Sequence, residues 1–296
     1  MPIRRNLISA GELQPLIGRP GVRIVDCRFD LNDPLAGRRA YCARHIPGAV
    51  FADLDQDLSA RVTPHTGRHP LPDAGGFAET LGRFGISNST EVVVYDADGG
   101  PLAARTWWLL RWLGHERVRL LDGGYQQWTA ESRPLASGDE VVTAASFSPR
   151  PKPEKILTTQ ELIRDFDRIE KLILIDARDA ARFRGEIEPI DPVAGHIPGT
   201  SNLPYTVSLR DDGTWKSTAE LESLWREVLG RDKKTAWSVM CGSGVTACHL
   251  AISAMEAGYR EPRLYVGSWS EWIRDSARPT GLGEARKTYP KAADMT

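Results

Sequence analysis

The residues best suited to covalent chemistry lie in one segment, WSVMCGSGVTACHLAISAMEAG, from Trp237 to Gly258. A short apolar run ends at Met240, and Cys241 follows it. Two glycines, Gly242 and Gly244, come next, and then apolar residues recur at helical spacing over Val245–Ala257. A cysteine reacts as its thiolate. Glycines let main-chain N–H groups turn inward and approach an anion closely. The start of the following helix adds the positive end of its dipole. Ser243 and Thr246 bring hydroxyl donors, and Val245 contributes its amide. Such a loop can hold a thiolate, a persulfide anion or an anionic substrate without a base beside it in sequence. Cys248 lies two helical turns further on, about 10 Å away by helical rise. That is too far for a disulfide with Cys241, so Cys248 reads as core packing, as do Cys27 and Cys42.

Two other loop chemistries fit this segment only in part. Gly242–Ala247 matches the loose G-x-G-x-x-A dinucleotide fingerprint, but too few residues follow it for a full doubly wound nucleotide domain. Phosphatases with a cysteine nucleophile place an arginine six positions after the cysteine. Here that position is Ala247, so a phosphate would lose its main clamp.

The elements that position the loop occur twice. RIVDCR (Arg23–Arg28) and HIPGA (His45–Ala49) are echoed by LILIDAR (Leu172–Arg178) and HIPGT (His196–Thr200) about 150 residues later. LLDGGYQQW, ending at Trp128, is echoed by LYVGSWSEW, ending at Trp272. Several motifs in one order at a nearly fixed offset indicate a duplicated domain; the period is too long for a solenoid. In each copy short apolar runs (Val22–Val25, Val92–Tyr95 and Val118–Leu121; Leu172–Ile175, Trp237–Met240 and Leu264–Val266) predict buried strands. Leu102–Leu113 and Val245–Ala257 predict helices. The alternation predicts parallel strands covered by helices, an α/β class. Sites in such sheets lie beyond the carboxyl ends of the strands, where the Cys241 loop belongs. The stretch Ala136–Lys155, rich in Ser, Pro and charge, has the composition of a linker.

Bulk properties narrow the function. The 296 residues carry 38 basic and 39 acidic side chains, a net charge of −1, which argues against a nucleic-acid partner. No apolar run approaches a membrane span, and the first residues, MPIRRNLISAGELQPLIG, do not read as a signal peptide. Four cysteines without paired C-x-x-C spacing suggest neither a disulfide framework nor a zinc site. A reducing cytoplasm is the expected setting.

The duplicated D-x-R, H-I-P-G and G-x-x-x-x-W pattern, together with Cys-Gly-Ser-Gly-Val-Thr, resembles the two-domain rhodanese sulfurtransferases, from about Leu13 to Pro279. The neutral residues after Cys241 are closest to the mercaptopyruvate branch of that family; the thiosulfate branch usually carries basic residues there. The resemblance implies two tandem rhodanese-like domains, each a parallel sheet flanked by helices. Residues 1–140 would be a non-catalytic domain, 141–155 a linker, 156–282 the catalytic domain and 283–296 a tail. In the first copy Asp96 stands where the nucleophile would be.

The implied activity moves a sulfane sulfur from 3-mercaptopyruvate or thiosulfate, through a Cys241 persulfide, to cyanide, a small thiol or a thioredoxin-like protein, with no metal or organic cofactor. The resemblance maps an acid–serine–cysteine arrangement onto Asp53, Ser243 and Cys241, and matches His69 to a histidine near the cleft. Arg182 matches a substrate-anion arginine, a planar cation suited to a carboxylate or sulfonate. Gly242, Gly244, Val245 and Thr246 would supply the amide cradle. Asp176 and Arg178 read as a structural pair. One departure stands out: the mercaptopyruvate branch usually has a second arginine in a Glu-Pro-Arg segment, and this chain reads Glu188-Pro189-Ile190-Asp191. A non-catalytic persulfide carrier and a dinucleotide-binding protein are the alternative readings.

Overall fold

The computed structural model describes residues 6–284. The chain forms two compact units. The first comprises residues up to Ala60, Leu71–Pro153 and Arg210–Trp215; the second comprises Arg61–Pro70, Glu154–Leu209 and residues from Lys216 onward.

Unit 1 contains β1 (Leu7–Ile8), β2 (Val22–Asp26), β3 (Ala49–Phe51), β4 (Glu91–Tyr95) and β5 (Val118–Leu121). They form one parallel sheet in the order β1-β5-β4-β2-β3. Its helices are α1 (Ala10–Leu13), α2 (Ala36–Ala43), α3 (Ala74–Arg83), α4 (Ala103–Trp112) and α5 (Gly124–Ala130). Unit 2 repeats the plan with β6 (Ile156–Leu157), β7 (Leu174–Asp176), β8 (Ser201–Asn202), β9 (Ser238–Met240) and β10 (Arg263–Tyr265), in the order β6-β10-β9-β7-β8, again parallel. Its helices are α6 (Thr159–Arg164), α7 (Ile169–Leu172), α8 (Ala180–Arg184), α9 (Thr218–Leu229), α10 (Ala247–Glu256) and α11 (Ser268–Trp272). The expected α/β class holds in both copies. The strand order differs from that of the doubly wound dinucleotide sheet, which removes the fold basis for the dinucleotide alternative.

The order also explains where a site can form. β7 connects onward to its edge neighbour β8, whereas β9 connects in the opposite direction to β10. Adjacent strands with diverging connections leave a crevice at their carboxyl ends. Asp176 ends β7 and Cys241 follows β9, so both open onto that crevice. Beneath it, Leu174, Ile197, Met240, Tyr265, Trp269 and Trp272 form a buried apolar cluster. In unit 1 Ile24, Ile46, Val93, Tyr95 and Trp128 belong to the corresponding core. Burial of several large side chains under each sheet, at about 1.5–3 kcal/mol apiece, makes the strand ends rigid mounts for the loops.

Three expectations change. The apolar run Leu172–Ile175 is not one strand: Leu172 closes α7, Ile173 turns with φ +44, and β7 begins only at Leu174. Periodicity cannot separate a buried helix end from a buried strand in so short a run. The segment 141–155 is not a loose linker throughout. Ala145, Arg150 and Lys152 donate amides to the carbonyls of Gly82, Leu113 and Trp112, each at 2.9 Å, and Phe147 is buried beside His115. Nor does each unit take one continuous stretch of chain. Arg61–Pro70 packs in unit 2, and Arg210–Trp215 packs in unit 1, where Trp215 donates its indole N–H to the Gly99 carbonyl at 3.0 Å. The tail expected over 283–296 lies outside the described residues beyond Glu284.

The 61–70 segment is held to α11 and to the turn that follows it. The Arg68 amide donates to Ser270 Oγ at 3.0 Å, and Arg274 Nε donates to the Thr66 carbonyl at 3.0 Å. A Cβ at Gly67 would stand 2.6 Å from the Gly267 carbonyl oxygen and 2.8 Å from Ser270 Oγ. Gly67→Ala must therefore push the segment off α11, at a cost of about 1–3 kcal/mol. Denaturant titration should show that loss; an unchanged midpoint would contradict the packing described for this segment.

Candidate active site

Cys241 emerges from β9 almost fully buried, with 2% of its surface exposed. Its surroundings are fixed from one side by the start of α11. The Cys241 amide donates to Ser268 Oγ at 3.1 Å; the Cys241 carbonyl accepts from the Trp269 amide at 3.0 Å, and the Gly242 carbonyl accepts from the Ser270 amide at 2.8 Å. In a planar trans peptide the N–H points opposite to the C=O. Tying these two carbonyls to α11 therefore turns the amides of Gly242 and Ser243 away from it. Among the described residues the amides of Gly242, Ser243, Val245 and Thr246 meet no acceptor. Gly244 has φ +74, a conformation that favours glycine, and it bends the loop into α10. Thr246 sits at the N-cap of that helix with no side-chain capping bond.

Ser268 is itself held at φ +52, an unusual value for a residue with a side chain, costing about 1–2 kcal/mol. Its hydroxyl donates to the Tyr265 carbonyl at 2.8 Å while accepting the Cys241 amide. The first copy has Gly124 at this place, with φ +57. Sequence reasoning missed Ser268; a serine where the other copy has a glycine was the available signal.

The corresponding loop of the first copy holds an anion. The Asp96 side chain, buried in the place of the cysteine, folds back into its own loop. It accepts amides from Asp98 and Gly100 on Oδ1 at 3.3 and 3.0 Å, and from Leu102 and Ala103 on Oδ2 at 2.7 and 2.9 Å. Asp98 and Gly100 correspond in sequence to Ser243 and Val245, two of the residues whose amides are open in the second copy. Burial pushes the Asp96 carboxyl up to about 6, against the pull of the amides.

Beside Cys241 lies a set of guanidinium and carboxylate groups. Asp176 grips Arg178 with both oxygens, Nε at 2.9 Å and Nη2 at 2.7 Å, and Arg178 Nη2 also donates to the Gly195 carbonyl. The Arg178 guanidinium lies 4.9 Å from the centre of the Trp269 ring. Burial works against its charge, but the charges of Asp176, Glu188 and Cys241 outweigh burial and hold it above its ordinary pKa. The expected structural pair is present, and it also puts a fixed positive charge within electrostatic reach of Cys241.

Arg182, on α8, donates to Glu188 from Nε at 3.2 Å and Nη2 at 2.7 Å, and to Asp191 from Nη2 at 3.2 Å. Burial raises the Glu188 carboxyl, but the Arg182 hydrogen bond and the amides of Asp191 and Ile190 more than offset it and hold it below the ordinary value. Arg68 Nη1 reaches the other oxygen of Asp191. The sequence reading did not select Arg68, although it is the residue before His69.

His69 Nδ1 stands 2.7 Å from Ser243 Oγ, and both side chains are buried. The resemblance pairs Ser243 with Asp53 and puts His69 only near the cleft; in the structure it is His69 that meets the Ser243 hydroxyl. Asp53 belongs to unit 1, where its Oδ1 accepts the amides of Asp55 and Gln56 at 2.9 and 3.0 Å and so closes a local turn. Cys248 is fully buried and donates its S–H to the Gly244 carbonyl at 3.4 Å, as core packing predicts.

A family model described as "Rhodanese-like domain" matches residues 9–131 and again 158–275. The chain belongs to the rhodanese-like family. A human protein named 3-mercaptopyruvate sulfurtransferase is 41% identical over 93% of this chain and 93% of its own. A Gallus gallus protein named thiosulfate sulfurtransferase is 34% identical over 91% of this chain and 93% of its own. Among solved structures, the 3-mercaptopyruvate sulfurtransferase from Leishmania major superposes with a TM-score of 0.80 at 31% identity, covering 92% of this chain and 75% of that one. Each rhodanese-like match spans four of the five strands of one sheet, and the second contains the Cys241 loop between β9 and α10. No helix among the described residues is long and apolar enough to cross a membrane.

Asp96 offers a test of the loop as an anion seat. Its folded pKa, about 6, lies above the ordinary 3.8. The folded state thus takes up its proton first, and this carboxyl contributes stability that grows as pH falls from about 6 toward 4. At neutral pH the charge costs roughly 2–3 kcal/mol relative to low pH. Asp96→Asn should flatten that part of the stability–pH curve. A curve of unchanged slope would remove Asp96 as the titrating group.

Proposed function

We propose that the protein is a sulfurtransferase that carries sulfur as a persulfide on Cys241. The observation that carries this reading is the pairing of a buried cysteine with amides of its own loop that meet no acceptor among the described residues, in a loop whose counterpart in the first copy cradles a carboxylate. The Cys241 thiolate attacks the sulfane sulfur of the donor, and a bond forms between the two sulfurs. With 3-mercaptopyruvate the carbon–sulfur bond breaks and its electron pair leaves as the enolate of pyruvate, which takes up a proton. With thiosulfate the sulfur–sulfur bond of the donor breaks and sulfite leaves. In the second step a nucleophile, cyanide or a thiol, removes the outer sulfur and returns the Cys241 thiolate. This is covalent catalysis with ping-pong kinetics.

The His69–Ser243 contact favours 3-mercaptopyruvate as donor. Carbon–sulfur cleavage leaves an enolate that needs a proton, and a hydroxyl 2.7 Å from an imidazole can deliver one. Sulfite leaves as a stable anion and needs none. Ser243 and His69 therefore act as the proton-delivering pair, and Arg182 holds the donor's charged end. Asp53 remains assigned by the family resemblance to the acid role. Gly242, Gly244, Val245 and Thr246 line the persulfide cradle. The acceptor is a small thiol, cyanide or a thioredoxin-like protein. Four free cysteines suit a reducing, cytoplasmic setting.

Mass spectrometry after donor treatment should find one added sulfur on Cys241, and Cys241→Ala should lose both that sulfur and turnover. A Cys241→Ala protein that still turns over would refute the assignment. Arg182→Ala should raise the donor KM with little change in kcat; unchanged kinetics would take Arg182 out of the site.

Proton delivery has its own signature. Ser243→Ala and His69→Gln should each lower kcat with 3-mercaptopyruvate by about 100-fold or more and lower thiosulfate turnover far less. Equal losses with both donors would contradict the proton role.

A further inference from the structure

We infer that Ser270 is a positioning residue for proton delivery: it sets the distance between the segment that carries His69 and the loop that carries Ser243. This rests on the proton-delivering role read for that pair above and adds the residue that holds the pair in register.

Ser270 lies buried in α11. It makes one bond to each side. Its amide donates to the Gly242 carbonyl at 2.8 Å, and its hydroxyl accepts the Arg68 amide at 3.0 Å. The hydroxyl proton faces the Gly267 carbonyl, with Oγ 3.5 Å from that oxygen. The first bond holds the peptide group that joins Gly242 to Ser243. The second holds the peptide group that joins Gly67 to Arg68, the residue before His69. A single torsion, χ1, separates the amide nitrogen of a serine from its Oγ, and that torsion rests in staggered wells. Ser270 is therefore a short, stiff link between two segments that lie far apart along the chain. Where the link ends, His69 Nδ1 stands 2.7 Å from Ser243 Oγ. A further tie on the same segment, from Arg274 Nε to the Thr66 carbonyl at 3.0 Å, is exposed and acts further back from His69.

The duplication separates the two halves of this link. In the first copy the corresponding residue is Gln126. Its amide donates to the Ala97 carbonyl at 2.9 Å, as the Ser270 amide does to Gly242, so the backbone half is common to both units. Gln126 is exposed, whereas the Ser270 side chain is turned into the site. The side-chain half thus belongs to the unit that has the nucleophile. Gly67 leaves room for it, since a Cβ there would stand 2.8 Å from Ser270 Oγ. Alanine at position 270 would keep the amide bond to Gly242 and the helix with it. What the hydroxyl adds is the register of one segment on the other. Proton transfer needs its heavy atoms about 2.6–3.2 Å apart, and a misplacement of about 1 Å can cost about 100-fold in rate. Cleavage of thiosulfate needs no proton and so does not depend on this distance.

The test is steady-state kinetics with 3-mercaptopyruvate and with thiosulfate for the wild type, Ser270→Ala, Ser270→Thr, His69→Gln and the double variant Ser270→Ala/His69→Gln. Ser270→Ala should lower kcat with 3-mercaptopyruvate about tenfold or more, while its KM and the thiosulfate turnover stay within about twofold. Ser270→Thr keeps a hydroxyl acceptor and should restore most of the rate. In the His69→Gln background, Ser270→Ala should cost less than about twofold more, because the distance it sets no longer matters there. A serine that only supports packing would instead give equal losses with both donors, or losses that multiply in the double variant. Either result would overturn the positioning role, as would wild-type kcat in Ser270→Ala or a Ser270→Thr rate as low as that of Ser270→Ala. If His69→Gln itself leaves turnover of 3-mercaptopyruvate unchanged, the proton-delivery reading fails, and the role of Ser270 falls with it.

Discussion

The constraint on which the site depends is the planarity of two peptide bonds. The carbonyls of Cys241 and Gly242 are tied to the first amides of α11. Because a trans peptide cannot point both its dipole ends the same way, the amides of Gly242 and Ser243 have to face the other side of the loop. Ser268 completes the fixture by taking the Cys241 amide on its hydroxyl, at the expense of a left-handed backbone. Stabilisation of an anion by donors already oriented costs no reorganisation when the charge forms. The sheet beneath supplies the rigidity, and the diverging connections of β7 and β9 supply the opening.

Duplication lets one chain show this loop in two chemical states. Unit 1 has an aspartate in the cysteine's place, and its carboxylate takes four amides, two of which, those of Asp98 and Gly100, correspond to the open amides of Ser243 and Val245 in unit 2. The two loops differ in backbone: the left-handed residue is Gly244 in unit 2 and Gly100, the counterpart of Val245, in unit 1. Burial of Asp96 raises its pKa even with four amides on it, which shows how much desolvation such a cradle must offset. In unit 2 the nearby guanidinium of Arg178, kept charged by Asp176 and Glu188, adds to the amides.

Much of this could be read from the residues. The repeated D-x-R and H-I-P-G motifs gave two copies of one α/β plan, and the Cys241 loop, Ser243, Arg182 and His69 were picked out from local pattern and resemblance. The short edge strands β1, β3, β6 and β8 could not be read, since two or three residues carry no period. Leu172–Ile175 looked like one strand because helix end and strand start are both apolar there. The exchanged segments were invisible for a different reason. Nothing in the composition of 61–70 says that it hydrogen-bonds to α11, two hundred residues away in sequence, and Arg68 came with it. The Asp191 bridge between two arginines is likewise a product of the fold, because Arg68 and Arg182 are far apart along the chain.

The most direct test of the account is the structure of the protein after treatment with a sulfur donor. The outer sulfur on Cys241 should lie within hydrogen-bonding reach of two or more of the amides of Gly242, Ser243, Val245 and Thr246. An added sulfur directed away from those amides, held by side chains alone, would contradict the claim that the loop exists to stabilise a charged sulfur.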